Sequence, residues 1–400
     1  MFWPAGTGLF PGMTSFLARA YAFKFFDAFI LIFPLYAVMF VDAGLTPVQI
    51  AICLTVWSAT SFALQIPSGV IADRVSRRHV LAYAQAGRAA GFLVWLLWPH
   101  FWGFLFGLVL WGVKSAFTSG TFEALFYDEL RAAGRADDYT RLIGRTRAAQ
   151  AGGVLLASLG AAFLSRYGYA ACLIASLGSI AVASVAALAL PPADRTWLAG
   201  DKSFTAQLGE GLALARRERN ILNILAFSAA ILAFGAALEE FWPIFGAKVG
   251  LPRPAIAVFV GAQNAIEAVA SLAAYRLAAL GRRGGHMVLG GSGLLLLTAA
   301  LMFNAPAMGL LAIYSGLLKA TDVLFEGRLQ AIIPSDQRAT LGSVKSFGAQ
   351  IALTGLYMSF GPLAQATSYQ VAFGACGLAA IVLGLGGALL SPRRSAGEAA

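Results

Sequence analysis

Charge is scarce in this sequence. Only 12% of its 400 residues are Asp, Glu, Lys or Arg, and 59% are hydrophobic, whereas soluble domains carry about 25% charged residues. So few charges could not cover the surface of a soluble chain of this length. Cysteine is rarer still. Cys53, Cys172 and Cys376 all lie inside apolar runs and have no metal-ligand spacing, which excludes a disulfide framework and a zinc site and leaves small core residues. No Gly-x-x-x-x-Gly-Lys-Ser/Thr phosphate loop is present, which excludes a nucleotide-driven pump. His79, His100 and His286 fall at the ends of apolar runs without a metal pattern, and Ser119 has no histidine near it. An enzyme is therefore not expected, and neither is a cofactor. No re-entrant filter segment suggests a channel. The net charge of +10 does not point to nucleic acid, because the basic residues are scattered over many short loops. The N-terminus lacks a charged segment and cleavage site ahead of the first apolar run, so that run is expected to be retained.

What is present is a series of long, uninterrupted apolar runs such as 50–64 and 287–301. A helical span needs about 20 apolar residues, and a backbone in lipid must satisfy its own hydrogen bonds. The expectation is an all-α membrane protein with twelve spans near 17–41, 47–70, 79–99, 101–126, 146–165, 168–190, 220–246, 253–276, 286–303, 306–331, 341–362 and 368–390. A polar stretch, 191–219, divides them. Its Phe204, Leu208, Leu212 and Ala215 recur at helical spacing, as in a helix lying along a membrane surface. This gives an N-terminal six-helix bundle at 1–192, a central cytoplasmic loop at 193–219, and a C-terminal bundle at 220–400 with a short tail. Lys and Arg gather on one side, in clusters such as Arg141, Arg145 and Arg147, or Arg216, Arg217 and Arg219. The other side has only Arg166, Lys248 and Arg253. The positive-inside rule then places both termini in the cytoplasm.

The halves read as repeats. Gly44–Ala51 aligns with Gly250–Ala257, and at nearly the same offset Arg77-Arg78 aligns with Arg282-Arg283 and Lys114 with Lys319. The second copy has Ala278 where the first has Asp73. Paired halves of this kind are the build of many secondary transporters.

The loop at 69–78 places Gly69, Asp73, Arg74, Arg77 and Arg78 at a spacing that resembles the Gly-x-x-x-Asp-Arg-x-Gly-Arg-Arg/Lys signature of the major facilitator superfamily, with Ser76 in place of the second glycine. Ser119-Gly120-Thr121-Phe122-Glu123-Ala124-Leu125-Phe126-Tyr127-Asp128 and Ile333–Thr340 resemble segments of a bacterial branch of it. The resemblance implies two pseudo-symmetric six-helix bundles and alternating access driven by an ion or solute gradient. It also implies a cytoplasmic latch in which Arg77 pairs with Asp128. The chain is expected in the bacterial inner membrane, as a multi-pass monomer that carries a small molecule.

A charge at mid-bilayer costs about 2.5–3.5 kcal/mol and normally faces a cavity or a partner. Candidates are Lys24 and Asp27 on span 1, Lys114 and Glu123 on span 4, Glu239 and Glu240 on span 7, Glu267 on span 8, and Lys319, Asp322 and Glu326 on span 10. Spans 1, 4, 7 and 10 line the cavity in the superfamily that the chain resembles. A sequestered carboxylate can take up and release a proton; Asp27 is the first choice for this role, and Glu239 or Glu240 the second. Lys24 argues against Asp27, since a paired lysine would hold it ionised. Glu239 and Glu240 point about 100° apart, so one at most is expected to face the cavity. Glu240, nearer the span end, can instead be solvated. Lys114 and Lys319 can neutralise Glu123 and Asp322, or bind an anionic substrate. Arg88 has no partner visible in sequence.

Two functions follow. One is proton-coupled export of amphipathic drugs or metabolites, favoured by the cavity carboxylates and the aromatic span 1. The alternative is uptake or facilitated passage of a small, anionic solute. Drug/proton antiporters of the superfamily carry a Gly-Pro signature on span 5. Here 148–162 has the glycines and no proline, which speaks for the alternative.

Overall fold

A computed structural model describes residues 11–192, 209, 213, 219–332 and 338–390. Every regular element among them is helical. In chain order they are α1 (Pro11–Ala28), α2 (Tyr36–Asp42), α3 (Pro47–Arg74), α4 (Arg77–Leu97), α5 (Phe101–Thr118), α6 (Thr121–Ala132), α7 (Tyr139–Leu164) and α8 (Tyr169–Leu188). After the central stretch come α9 (Arg219–Leu232), α10 (Trp242–Lys248), α11 (Arg253–Ala273), α12 (Gly281–Met302), α13 (Ala307–Ile332), α14 (Arg338–Ala366) and α15 (Tyr369–Leu390). Each of the twelve expected spans is met by one helix or by two in succession. Among the described residues, nine helices are long and apolar enough to cross a membrane, or ten if one bent pair counts as a span. Residues 193–208, 210–212 and 214–218 of the amphipathic stretch, which include Phe204, Leu208, Leu212 and Ala215, lie outside the described residues, as do the connection 333–337 and the tail from Ser391.

Three expected spans are broken, and each break has a local cause. Span 1 stops at Ala28 and resumes at Tyr36. Pro34 falls in the gap, where its ring removes a backbone N–H. Span 7 leaves α9 through a π turn, Ala233–Ala237, and restarts at Trp242-Pro243 after a bend of 43°. Pro243 cannot donate to the carbonyl of Glu239, so the helix yields there. These two breaks occupy matching places in the repeat. Span 4 is interrupted at Ser119-Gly120, where Gly120 takes a φ of 76° that favours glycine.

By contact the chain forms two compact units, Met1–Phe33 with Thr60–Ala199, and Pro34–Ala59 with Gly200–Ala400. The core of the first includes Phe16, Phe23, Phe122 and Phe126, all buried, with Leu125 and Leu130 between α1, α6 and α7. In the second, α12 and α15 approach through glycines. A Cβ on Gly293 would fall 2.7 Å from both the Gly377 carbonyl oxygen and the Ile381 nitrogen, while one on Gly291 would meet nothing within 4 Å. Gly293→Val should therefore cost about 1–3 kcal/mol through overpacking. Gly291→Ala should be silent. Melting midpoints in detergent distinguish the two, and equal midpoints would contradict this packing.

Cys53 and Cys172 are buried and Cys376 is half-buried, all as free thiols.

Candidate functional site

In the first unit the charges collect where α1 ends. Asp27, the penultimate residue of α1, accepts from Gln85 Nε2 at 2.6 Å and from Arg88 Nη2 at 3.0 Å, and its Oδ1 lies 2.6 Å from Lys114 Nζ. Arg88 also donates from Nη1 to the Asp27 carbonyl at 3.0 Å and from Nη2 to Gln85 Oε1 at 2.6 Å. Gln85 is 0%, Arg88 2% and Lys114 8% exposed. The broken helix explains the two cations. The Asp27 carbonyl, in the last turn of α1, takes Arg88 as its donor, and a helix C-terminus attracts positive charge. Arg88, which the sequence left without a partner, closes this end. Lys114 serves Asp27 and not Glu123.

Lys24 turns instead to Glu123, at 3.1 Å, and its ammonium lies 4.3 Å from the Phe122 ring centroid. Glu123 stands in the first turn of α6, where the helix dipole favours an acid. Arg77, at the start of α4, pairs with Asp128 on α6 in the arrangement expected of the latch. The side chains of Gly69, Asp73 and Arg74, on the last turns of α3, lie outside the described residues, as do those of Ala278 and Arg282.

In the second unit the carboxylates gather at the break in span 7. The Glu239 carboxyl lies close enough to that of Glu267 on α11 for the two to interact. Gln263, one turn back on α11, donates to Glu267 Oε1 at 2.9 Å and fixes it. Glu240 is not simply solvated: it accepts a hydrogen bond from the hydroxyl of Tyr36, the first residue of α2. The bend thus gives both neighbouring glutamates a partner, on different helices, where a continuous helix would have aimed only one inward. The break is itself held from α13, where Tyr314 donates to the Phe234 carbonyl and Ser315 accepts from Trp242 Nε1, each at 3.2 Å.

Further along α13, Lys319 is exposed at mid-helix and makes no hydrogen bond or ion pair among the described residues. Asp322 keeps a buried oxygen, Oδ1, with no hydrogen-bond partner among them. Glu326 pairs with Lys345 of α14. No group of three or more His, Cys, Asp or Glu side chains among the described residues is arranged to hold a metal ion.

Comparison with known proteins follows the same line. The structure resembles the nucleoside transporter NupG (TM-score 0.73, 14% identity, 95% of this chain and 99% of that one). It also resembles a D-xylose-proton symporter (0.66, 13%, 92% and 96%) and a bacterial homolog of the human lysosomal transporter Spinster (0.69, 16%, 96% and 96%). At these identities the likeness shows the fold. A search of curated protein sequences returns no match. The family model described as Major Facilitator Superfamily matches residues 17–327. With its helical, apolar build and that match over most of its length, the chain belongs to the major facilitator superfamily and is a multi-pass membrane transporter of the secondary kind.

Proposed function

We propose that this transporter couples the movement of a small organic molecule to protons through Glu239, and that it exports amphipathic drugs or metabolites across the bacterial inner membrane, as a monomer with both termini in the cytoplasm. What supports the coupling is the closeness of the Glu239 and Glu267 carboxyls beside a bend in span 7, since two neighbouring acids do not readily both ionise. The charge arrangement favours a structural role for Asp27, since losing its charge would leave Arg88 and Lys114 facing each other without a counter-ion. Energy comes from the proton gradient, with no cofactor. Transport of a ligand found by thermal stabilisation, measured in vesicles of both orientations with and without a pH gradient, tests this reading. Accumulation in right-side-out vesicles driven by inward proton flow would sink export.

One observation favours uptake of an anionic solute instead. The Lys319 ammonium is exposed at mid-span and forms no close ion pair among the described residues, although Glu239 and Asp322 lie within electrostatic reach, so an incoming carboxylate or phosphate would compete with them. Its repeat mate Lys114 is taken by Asp27, so an anion would depend on Lys319 alone. Lys319→Gln should then abolish binding of an anionic ligand and leave binding of a neutral or cationic one unchanged.

A further inference from the structure

Within the second unit, α14 and α15 pack side by side and leave a groove that encloses about 380 Å³. Phe234, from the π turn of span 7, closes it at the bottom, and Leu356 and Leu363 of α14 line it. On α15 its wall is Ala375, Cys376 and Ala379, whose small side chains leave the space open. The groove cannot close by one ring turning into it. Phe360, which is part of its wall, is held with its ring centre 4.2 Å from that of Phe241 and 4.9 Å from that of Phe373.

The lining limits what can fill it. The Ser359 hydroxyl at the rim already donates to the Leu356 carbonyl, at 3.1 Å. The remaining polar side chain is the Cys376 thiol, a weak donor. An ordered water needs about two to four polar partners, so water gains little here. An empty hollow would forfeit the dispersion contacts that close packing supplies. Around the rim the two helices expose large apolar side chains, Ile351 and Met358 on α14 and Leu378 and Val382 on α15. α15 is long and apolar enough to cross a membrane. The medium that meets the groove in a bilayer is hydrocarbon.

We propose that this groove binds one acyl chain of a bilayer lipid, which lies between α14 and α15 with its side against the π turn of span 7. The chain touches Phe234, inside that turn, and Phe360, whose ring packs on Phe241 beside Glu240. The lipid thereby supports, from outside the charged site, the bend that presents Glu239 and Glu240. The site takes hydrocarbon alone, and it stands whichever solute the protein carries.

Lipid photolabelling tests it. The protein is reconstituted in vesicles of phosphatidylethanolamine and phosphatidylglycerol, a fraction of which carries a diazirine in the acyl chain. It is then exchanged into lipid-free detergent to wash away loosely held lipid, and irradiated. The label that survives the wash should map to 352–363 and 375–379, and not to Val269 and Leu272 on the exposed face of α11. Ala379→Phe, which fills the groove from its rim, should lose that label. Irradiated in the vesicles before the wash, parent and variant should be labelled alike on α11, which shows that both are folded and inserted. Should Ala379→Phe not run as a single gel-filtration peak, Ala375→Phe replaces it with the same expected loss. A washed parent without label at the groove, or the same label in the filled variant, overturns the proposal. So does a disulfide between the Cys376 thiols of two copies in place of the label, which would assign the groove to a dimer.

Discussion

Asp27→Ala should be among the most damaging single changes in this protein, lowering its stability by about 3–5 kcal/mol. The substitution would leave Arg88 and Lys114, 2% and 8% exposed, without the carboxylate that neutralises both. It would also strip Gln85 of its acceptor. Lys24→Ala removes a charge from the same helix, but its partner Glu123 has a side chain 40% exposed, and the loss should be about 1 kcal/mol or less. Asp27→Asn keeps an acceptor for Gln85 and should fall between them. Melting midpoints and folded yield in detergent report all three. If Asp27→Ala and Lys24→Ala melt together, the cluster is not the anchor of α1.

Glu239→Gln should abolish gradient-driven accumulation while leaving downhill exchange intact. With one proton per molecule, a gradient of one pH unit sustains about tenfold accumulation, the equivalent of about 1.4 kcal/mol. The variant should bring this ratio to unity. Glu267→Gln should do the same, if the two neighbouring carboxyls act as one proton site; Gln263→Ala, which removes only the donor that fixes Glu267, should weaken accumulation less. Persistence of tenfold accumulation in both glutamine variants would remove Glu239 from the coupling role.

Much of this arrangement was legible before any coordinates. Apolar run length located the helices, because lipid leaves a backbone few choices, and nine or ten of those described are long and apolar enough to be spans. The Arg77–Asp128 pair followed from the signature and the segment that ends span 4, both short-range patterns on adjacent helix ends. The deeper charges were harder. Asp27, Arg88 and Lys114 stand on three spans, and pairing them requires the depth and rotation of each, which sequence spacing does not define. One signal was available. A buried charge must find a partner, and Arg88 had none nearby, so the acid on a neighbouring span was the natural choice. Spacing favoured Lys24 for Asp27, but the helix turns Lys24 toward Phe122 and Glu123.

The broken spans also left a mark in sequence. Pro34 and Pro243 each remove a helical donor, and Gly120 permits a backbone turn that other residues resist. Apolar periodicity runs straight through such points, which is why spans 1, 4 and 7 read as continuous. The consequence reaches the site directly: without the bend in span 7, Glu239 and Glu240 could not both find partners.

The central claim is proton-coupled transport, and accumulation in inside-out vesicles addresses it most directly. A ligand selected by thermal stabilisation of the purified protein should be concentrated in those vesicles when their interior is more acidic than the medium, by about tenfold per pH unit at one proton per molecule, and should equilibrate without accumulation once the gradient is collapsed. Uptake indifferent to the pH gradient, with the same ligand and the same vesicles, would contradict the account.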